Sequence, residues 1–195
     1  MPSETPSEKA ATIDKYVKNV SEESFPRIVA YANDPDPFVR GTAATALGIL
    51  QRMEAIPVLT RMFETDPVAE VKEKILRALD NYQHSSVERL LIAEAFRHGG
   101  ERHIRHLTAK NLGKYDSNDA RLALRHLIDT DEDAYVQQFA LRSLSAINHA
   151  GLTKYWLHLL STDDPYARET ARRALRKLGI RHPRMGSDGR GSDAD

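Results

Sequence analysis

Three histidines, His98, His103 and His106, fall within nine residues, and His103 and His106 stand i, i+3 on one helical face. Imidazole is the side chain here best suited to metal ligation or proton transfer near neutral pH. A metal site would need a third and a fourth ligand, a carboxylate from a neighbouring segment among them. The sequence has no HExxH run, no glycine-rich phosphate loop and no G-x-S-x-G elbow; Gly99-Gly100 alone reads as a turn. Cysteine is absent, which removes thiolate ligands, cysteine nucleophiles and disulfides. Carboxylates gather at helix starts, where capping accounts for them. The single tryptophan, Trp156, matches Ile28, Leu59, Leu91 and Leu124 in register, so core packing is expected of it. The histidines are read as surface or partner-contact residues. No catalytic, metal or cofactor residue is assigned, and a non-enzymatic protein is expected.

Cations offer a second chemistry. Lys and Arg total 28, and so do Asp and Glu, so the net charge is zero and any affinity for anions must come from local arrangement. Arg77, Lys110, Arg142 and Arg173 recur at one place in four successive segments, where the first segment has Thr45. A second row holds Gly41, Glu73, His106, Gln138 and Glu169, and a third holds Gly48, Asp80, Gly113, Ser145 and Arg176. Glu73–Arg77 and Glu169–Arg173 are spaced i, i+4, so part of this charge can be a solvated helix face of ordinary pairs. The segment around Arg168, Arg172, Arg173, Arg176, Lys177 and Arg181 is the most basic, and Arg172, Arg176 and Lys177 have no evident acidic partner in sequence.

These rows exist because the chain repeats. Val39, Val71, Ile104, Val136 and Ala167 are separated by 32, 33, 32 and 31 residues. Four residues after each come Ala43, Ile75, Thr108, Ala140 and Ala171; seven after come Ala46, Ala78, Asn111, Ser143 and Ala174; eight after, always leucine. Offsets 0, +4, +7 and +8 form one helical stripe, so offsets +2, +6 and +9 point away from it. Asp36-Pro37, Asp66-Pro67 and Asp164-Pro165 read as N-cap and first-turn pairs; Asp131-Glu132-Asp133 supplies acid at a fourth start, and the third start, His98-Gly99-Gly100-Glu101, lacks the pair. A second apolar helix precedes each of these, so every unit is a hairpin of an outer and an inner helix. One hairpin cannot bury both faces, and stacking neighbours does.

The expected organisation is a polar, disordered segment 1–11, a repeat domain 12–179 with hairpins near 21–50, 54–82, 86–115, 118–148 and 150–179, and a disordered tail 180–195. Ile13, Tyr16, Val17 and Val20 are expected in a capping helix. No apolar run approaches the ~20 residues that span a bilayer, and a cytoplasmic protein is expected.

The stretches DPFVRGTAATALG, DPVAEVKEKILRALD and DPYARETARRALRKLG resemble HEAT-like repeats, in particular the short bacterial and archaeal kind found in phycobilisome lyase subunits. The resemblance covers residues ~21 to ~179 by repeat spacing. It implies an all-α fold, a right-handed α-solenoid of five hairpins whose inner helices line a concave surface. It also implies that the cation after each anchor, here Arg40, Lys72, Arg105 and Arg168, with Gln137 as a departure, joins a structural ladder with the inter-helix Asp. On these grounds Arg77, Lys110, Arg142, Arg173, Arg176, Glu73, His106, Gln138 and Glu169 are expected to bind a partner protein, through an acidic segment, along the concave face. The alternatives are an accessory subunit of a phycobilin lyase-like enzyme and a nucleic-acid backbone binder; the latter would want the positive excess this chain lacks. The first segment, with Gly41, Thr45 and Gly48, is expected to be a bare, open end.

Overall fold

The computed structural model describes residues 4–97 and 99–181. His98 and residues 182–195, most of the expected tail, lie outside the described residues. The described chain is helical with no strand. It divides into two compact units, 1–147 and 148–195. The first holds α1 (Pro6–Lys18), α2 (Ser24–Tyr31), α3 (Pro37–Leu50), α4 (Ala55–Thr65), α5 (Ala69–Leu79), α6 (Ser85–Ala95), α7 (Arg102–Leu112), α8 (Asn118–Thr130) and α9 (Ala134–Ile147). The second holds α10 (Thr153–Leu159) and α11 (Pro165–Lys177). The fold is an α-solenoid of repeated hairpins.

In the first unit α1, α3, α5, α7 and α9 pack side by side in one row, and α4, α6 and α8 in the other. The repeating stripe is the core: Val39, Ala43 and Leu47 on α3, Val71 and Ile75 on α5, and Val136, Ala140 and Leu144 on α9 are buried. Helix α1 begins at Pro6, behind a capping box of Thr5 and Glu8, so the helical part reaches nearer the N-terminus than residue 12. Ile13 is its buried residue, whereas Val20 lies past the helix and is exposed.

The helix starts correct one sequence expectation. Asp36 caps α3 by accepting from Phe38 N, and Asp164 caps α11 by accepting from Tyr166 N, both at 2.8 Å. Each lies three residues before its anchor. Asp66 does not share that register. It lies five before Val71, and α5 starts at Ala69 with Val68 in the capping position. The Asp-Pro pair is therefore the same two letters used two residues earlier in the loop. Asp66 serves the ladder instead, as do Asp34 and Asp131, which also lie five before their anchors.

That ladder joins successive hairpins. Arg40 grips Asp66 with two parallel bonds of 2.7 and 3.0 Å, and Arg105 grips Asp131 at 2.8 and 3.1 Å. The second terminal nitrogen of each guanidinium reaches loop carbonyls, Asp34 and Pro35 O for Arg40 and Gly100 O for Arg105. A fork of this kind matches a carboxylate as an ammonium cannot. Lys9 of α1 adds a further rung to Asp34 at 2.6 Å. Burial alone would raise the Asp66 carboxyl, but the Arg40 fork and the Val68 N–H hold it below the usual carboxylate range. The ladder breaks at Lys72. Its counterpart five before the next anchor is Gly99, at φ +77°, and Lys72 rests over the Phe63 ring, 5.3 Å from the centroid. Gln137 keeps only the loop contact, donating to Asp131 O at 2.6 Å.

Small residues set the spacing of the inner row. A Cβ built on Gly48 would lie 2.7 Å from Ala78 Cβ and 2.8 Å from Ala78 Cα; one on Gly113 would lie 2.8 Å from Ser143 Cβ. Offset +9 of one repeat thus seats against offset +7 of the next. Tyrosines at offset +11 close the helix ends: Tyr82 OH donates to Leu47 O at 2.8 Å and Tyr115 OH to Tyr82 O at 3.1 Å. Each satisfies a carbonyl near the end of the preceding repeat.

One buried carboxyl is out of keeping. Glu94 on α6 is 8% exposed, its Oε2 accepts no hydrogen bond, and Arg97 Nε stands 3.3 Å away. Burial pushes its pKa above the ordinary value, against the pull of Arg97 and Lys72. A raised acid favours the native state below the unfolded pKa, and that contribution is lost as pH rises through the folded one. Glu94→Gln is therefore expected to stabilise the protein at pH 7 by about 1 kcal/mol, the scale of a desolvated group whose hydrogen bond is unmade, less what the Arg97 contact returns. The gain should vanish near pH 4 in paired urea titrations.

In the second unit Trp156 of α10 is fully buried, and Ala167, Ala171 and Leu175 of the α11 stripe are buried as well. Arg168 donates to Thr162 O at 2.6 Å. Thr162 stands where the ladder Asp would be, so this arginine keeps the loop half of its role.

Candidate partner-binding face

The three outward rows of the first unit do not behave alike. The +6 residues Thr45, Arg77, Lys110 and Arg142 are exposed, and the +2 residues Glu73, His106 and Gln138 are half-buried. The +9 row turns inward: Gly48 and Ser145 are buried and Gly113 is half-buried. Gly41 is buried too, under the aliphatic chain of Lys74, whose Cδ a Cβ there would meet at 2.7 Å. Lys74 Nζ continues to the Phe38 ring at 5.4 Å. The first repeat is therefore a closed contact with the second, and only Thr45 of its three small residues is exposed. Glycine marks close approach here as readily as bare surface, and only the neighbour distinguishes the two.

Most of the cations on this face are already matched. Arg77 donates to Glu73 Oε1 from Nε at 2.9 Å and from Nη2 at 2.7 Å. His103 Nε2 approaches the other oxygen of Glu73 at 3.7 Å. Lys110 and Lys114 share Asp80, at 3.1 and 2.7 Å. Burial would raise the Asp80 carboxyl, but those two ammonium groups bring it below its ordinary value. Arg102 lies 3.5 Å from Asp133. Arg142 differs. Among the described residues no carboxylate pairs with it, and its guanidinium lies over the Phe139 ring, 5.5 Å from the centroid.

Around Arg142 the face becomes aromatic. His106 packs edge-on against Phe139 with ring centroids 4.5 Å apart, and Tyr135 lies 5.3 Å from His106 and 4.8 Å from Phe139. Arg102 covers the Tyr135 ring at 4.8 Å. Burial pushes the His106 imidazole below its ordinary pKa, and Arg77 and Lys110 add to that, against the His103 carbonyl and Glu73. The balance favours the neutral ring, which acts as a wall of the cluster. Tyr135, Phe139 and Arg142 occupy offsets −1, +3 and +6 of one helix, a single stripe on the side of α9 facing α7. Of that stripe only Arg142 belongs to the outward rows +2, +6 and +9; Tyr135 and Phe139 lie beside them.

Gln138 lies half-buried beside this cluster on α9. In the second unit Glu169 gathers three cations on α11, Arg173 at 2.9 Å, Arg176 at 3.6 Å and Arg172 at 3.7 Å. Arg172 and Arg176 are therefore not without an acidic partner, as sequence spacing implied; one carboxylate serves both together with Arg173. The Glu169 carboxyl is held below its usual range, by Arg173 first. Of the histidine cluster, His103 and His106 sit in the first turns of α7. Among the described residues no three His, Asp or Glu side chains come together in a metal-binding arrangement, and no helix is long and apolar enough to cross a membrane.

A family model for HEAT repeats matches residues 3–80, 65–145 and 89–176. No curated protein matches the sequence. Among solved structures, an archaeal HEAT-like repeats protein from Thermococcus onnurineus NA1 is similar over 94% of this chain and 84% of its own, with 20% identity and a TM-score of 0.58. The complex of CpcE and CpcF of phycocyanin lyase from Nostoc sp. PCC7120 is similar over 92% of this chain and 77% of that one, with 21% identity and a TM-score of 0.57. An engineered protein is similar over 87% of this chain and 84% of its own, with 21% identity and a TM-score of 0.55. At these identities the likeness is one of fold.

Proposed function

This chain belongs to the HEAT-repeat family, and from that premise we propose that it is a non-enzymatic interaction scaffold that holds an acidic segment of a partner protein. The segment lies on the exposed side of the α5–α7–α9 row. One observation carries the reading. Arg77, Lys110, Lys114 and Arg102 have carboxylates within reach, whereas Arg142 has only the Phe139 ring. A carboxylate arriving from outside meets a cation there without first displacing a partner. Glu73, His106 and Gln138 border its path on the first unit, with Arg77 and Lys110 as secondary, already compensated contacts. Glu169, Arg173 and Arg176 form a separate basic patch on the second unit, proposed as a partner contact in its own right.

The test is the binding of a fluorescein-labelled acidic peptide, twelve alternating Asp and Glu residues, read by anisotropy. Arg142→Glu is expected to weaken binding about tenfold or more, or about 1.4 kcal/mol. Arg77→Glu should cost less, because Arg77 is neutralised in place. Equal binding by wild type and Arg142→Glu would sink the proposal. An accessory role beside a chromophore lyase rests on no feature of this face, since the likeness to CpcE and CpcF is one of fold.

A further inference from the structure

We infer that the segment is anchored by an aromatic residue adjoining its acidic ones, with the aromatic ring entering the His106–Tyr135–Phe139 cluster and a neighbouring carboxylate on Arg142. This rests on the proposed function and specifies the partner's chemistry.

The argument begins with what the cluster already contains. Three rings meet at tilted or edge-on angles with centroids 4.5–5.3 Å apart. Tyr135 is 42% exposed and Phe139 is half-buried, so the ring surfaces stand partly in water. An aromatic newcomer gains both apolar burial and edge-to-face contact, which an aliphatic side chain gains only in part. The two guanidinium groups over Tyr135 and Phe139 add flat surfaces that stack on a further ring. They also reject a cationic occupant. A lysine or a methylated ammonium would meet ring faces already covered by positive charge, at Arg102 and at Arg142. The charge left over is Arg142 alone, since Arg102 lies near Asp133. The complement of the patch is therefore one ring next to one carboxylate.

A nucleic-acid strand also offers rings and anions. It carries a phosphate at every residue, and the carboxylates of Glu73, Asp80 and Asp133 flank this face. A strand crossing the face must pass those carboxylates, whereas a peptide places its carboxylate only where a cation waits. A peptide is favoured.

Three labelled probes decide the matter: an acidic dodecapeptide with one central Trp, the same peptide with Ala in its place, and a dodecameric oligothymidylate. The Trp peptide is expected to bind about tenfold more tightly than the Ala peptide to the wild-type protein. Tyr135→Ala and Phe139→Ala should each bring the two peptides together, with far-UV circular dichroism unchanged. Tyr135→Ala is the safer variant, because its ring is the more exposed. If both peptides bind equally well and Arg142→Glu still weakens them, the aromatic anchor is wrong and the acidic-segment reading stands. If neither peptide binds, that reading falls with it. Tighter binding of the oligothymidylate than of either peptide would overturn both in favour of a nucleic-acid strand.

Discussion

Arg105→Ala is expected to cost about 3–5 kcal/mol of stability, the usual cost of removing one partner from a buried ion pair. The loss is not the value of the bond itself. Asp131 is 3% exposed at its side chain, so the substitution leaves a charge below the surface with the Asp133 N–H as its remaining donor. Gly100 O loses a donor in the same step. Lys72 occupies the same offset one repeat earlier and provides the internal control. It has no carboxylate rung and rests on the Phe63 ring, and Lys72→Ala should cost about 0.5–1 kcal/mol, the scale of a weak cation–π contact. Urea unfolding of the two variants followed by far-UV circular dichroism makes the comparison. Similar losses at both positions would mean that the forks do not carry the weight assigned to them.

The second large effect is expected at Gly48. Gly48→Val should destabilise by about 2–3 kcal/mol, the range for overpacking a tight contact. The reason is the partner. Ala78 presents its Cβ and its backbone Cα, and neither can move without shifting α5 as a whole. Gly41 lies on the same helix with an equally short contact, but to the Cδ of Lys74, the far part of a flexible chain. Gly41→Val should therefore cost less than about 1 kcal/mol, since Lys74 can swing aside and valine suits a helix better than glycine does. Thermal unfolding of the pair separates rigid from yielding neighbours. Equal melting temperatures would show that the inner row adjusts as a body.

Much of this was legible in the sequence, and the parts that were not have common causes. The anchor stripe, with its leucine eight residues on, could be read because burial imposes the helical period directly. So could the structural role of Arg40 and Arg105, which followed from the family resemblance. The register of Asp66-Pro67 was misread because the same dipeptide suits two places in one loop, and only the position of Val68 decides between them. The closure of Gly41 and Gly48 was missed because a glycine in a helix names no neighbour. The aromatic stripe of α9 lies at offsets −1, +3 and +6, outside the outward rows +2, +6 and +9 except for Arg142, so Tyr135 and Phe139 fell in no row. The Phe139 ring lies between α7 and α9, where His106 of the adjoining repeat completes the contact. Pairwise chemistry across repeats depends on stacking offsets that a periodic pattern leaves open.

The break in the ladder at Lys72 has a consequence for ionic strength. The joints on either side, α3 to α5 and α7 to α9, each contain a fork whose carboxylate is at most 4% exposed, and salt screens such pairs little. The α5–α7 joint has none. Its ion pairs, Lys110 and Lys114 on Asp80, are partly solvated. At physiological salt the screening length is about 8 Å, and at 1 M it falls to about 3 Å. A rise in salt is therefore expected to weaken the ionic contacts of this joint more than the forks of its neighbours, while its buried bonds, Asn111 Nδ2 to Leu76 O and Tyr115 OH to Tyr82 O, remain. The face that carries Arg142 and its rings adjoins this joint, so the electrolyte is expected to act on the proposed acidic contact through the joint as well as directly.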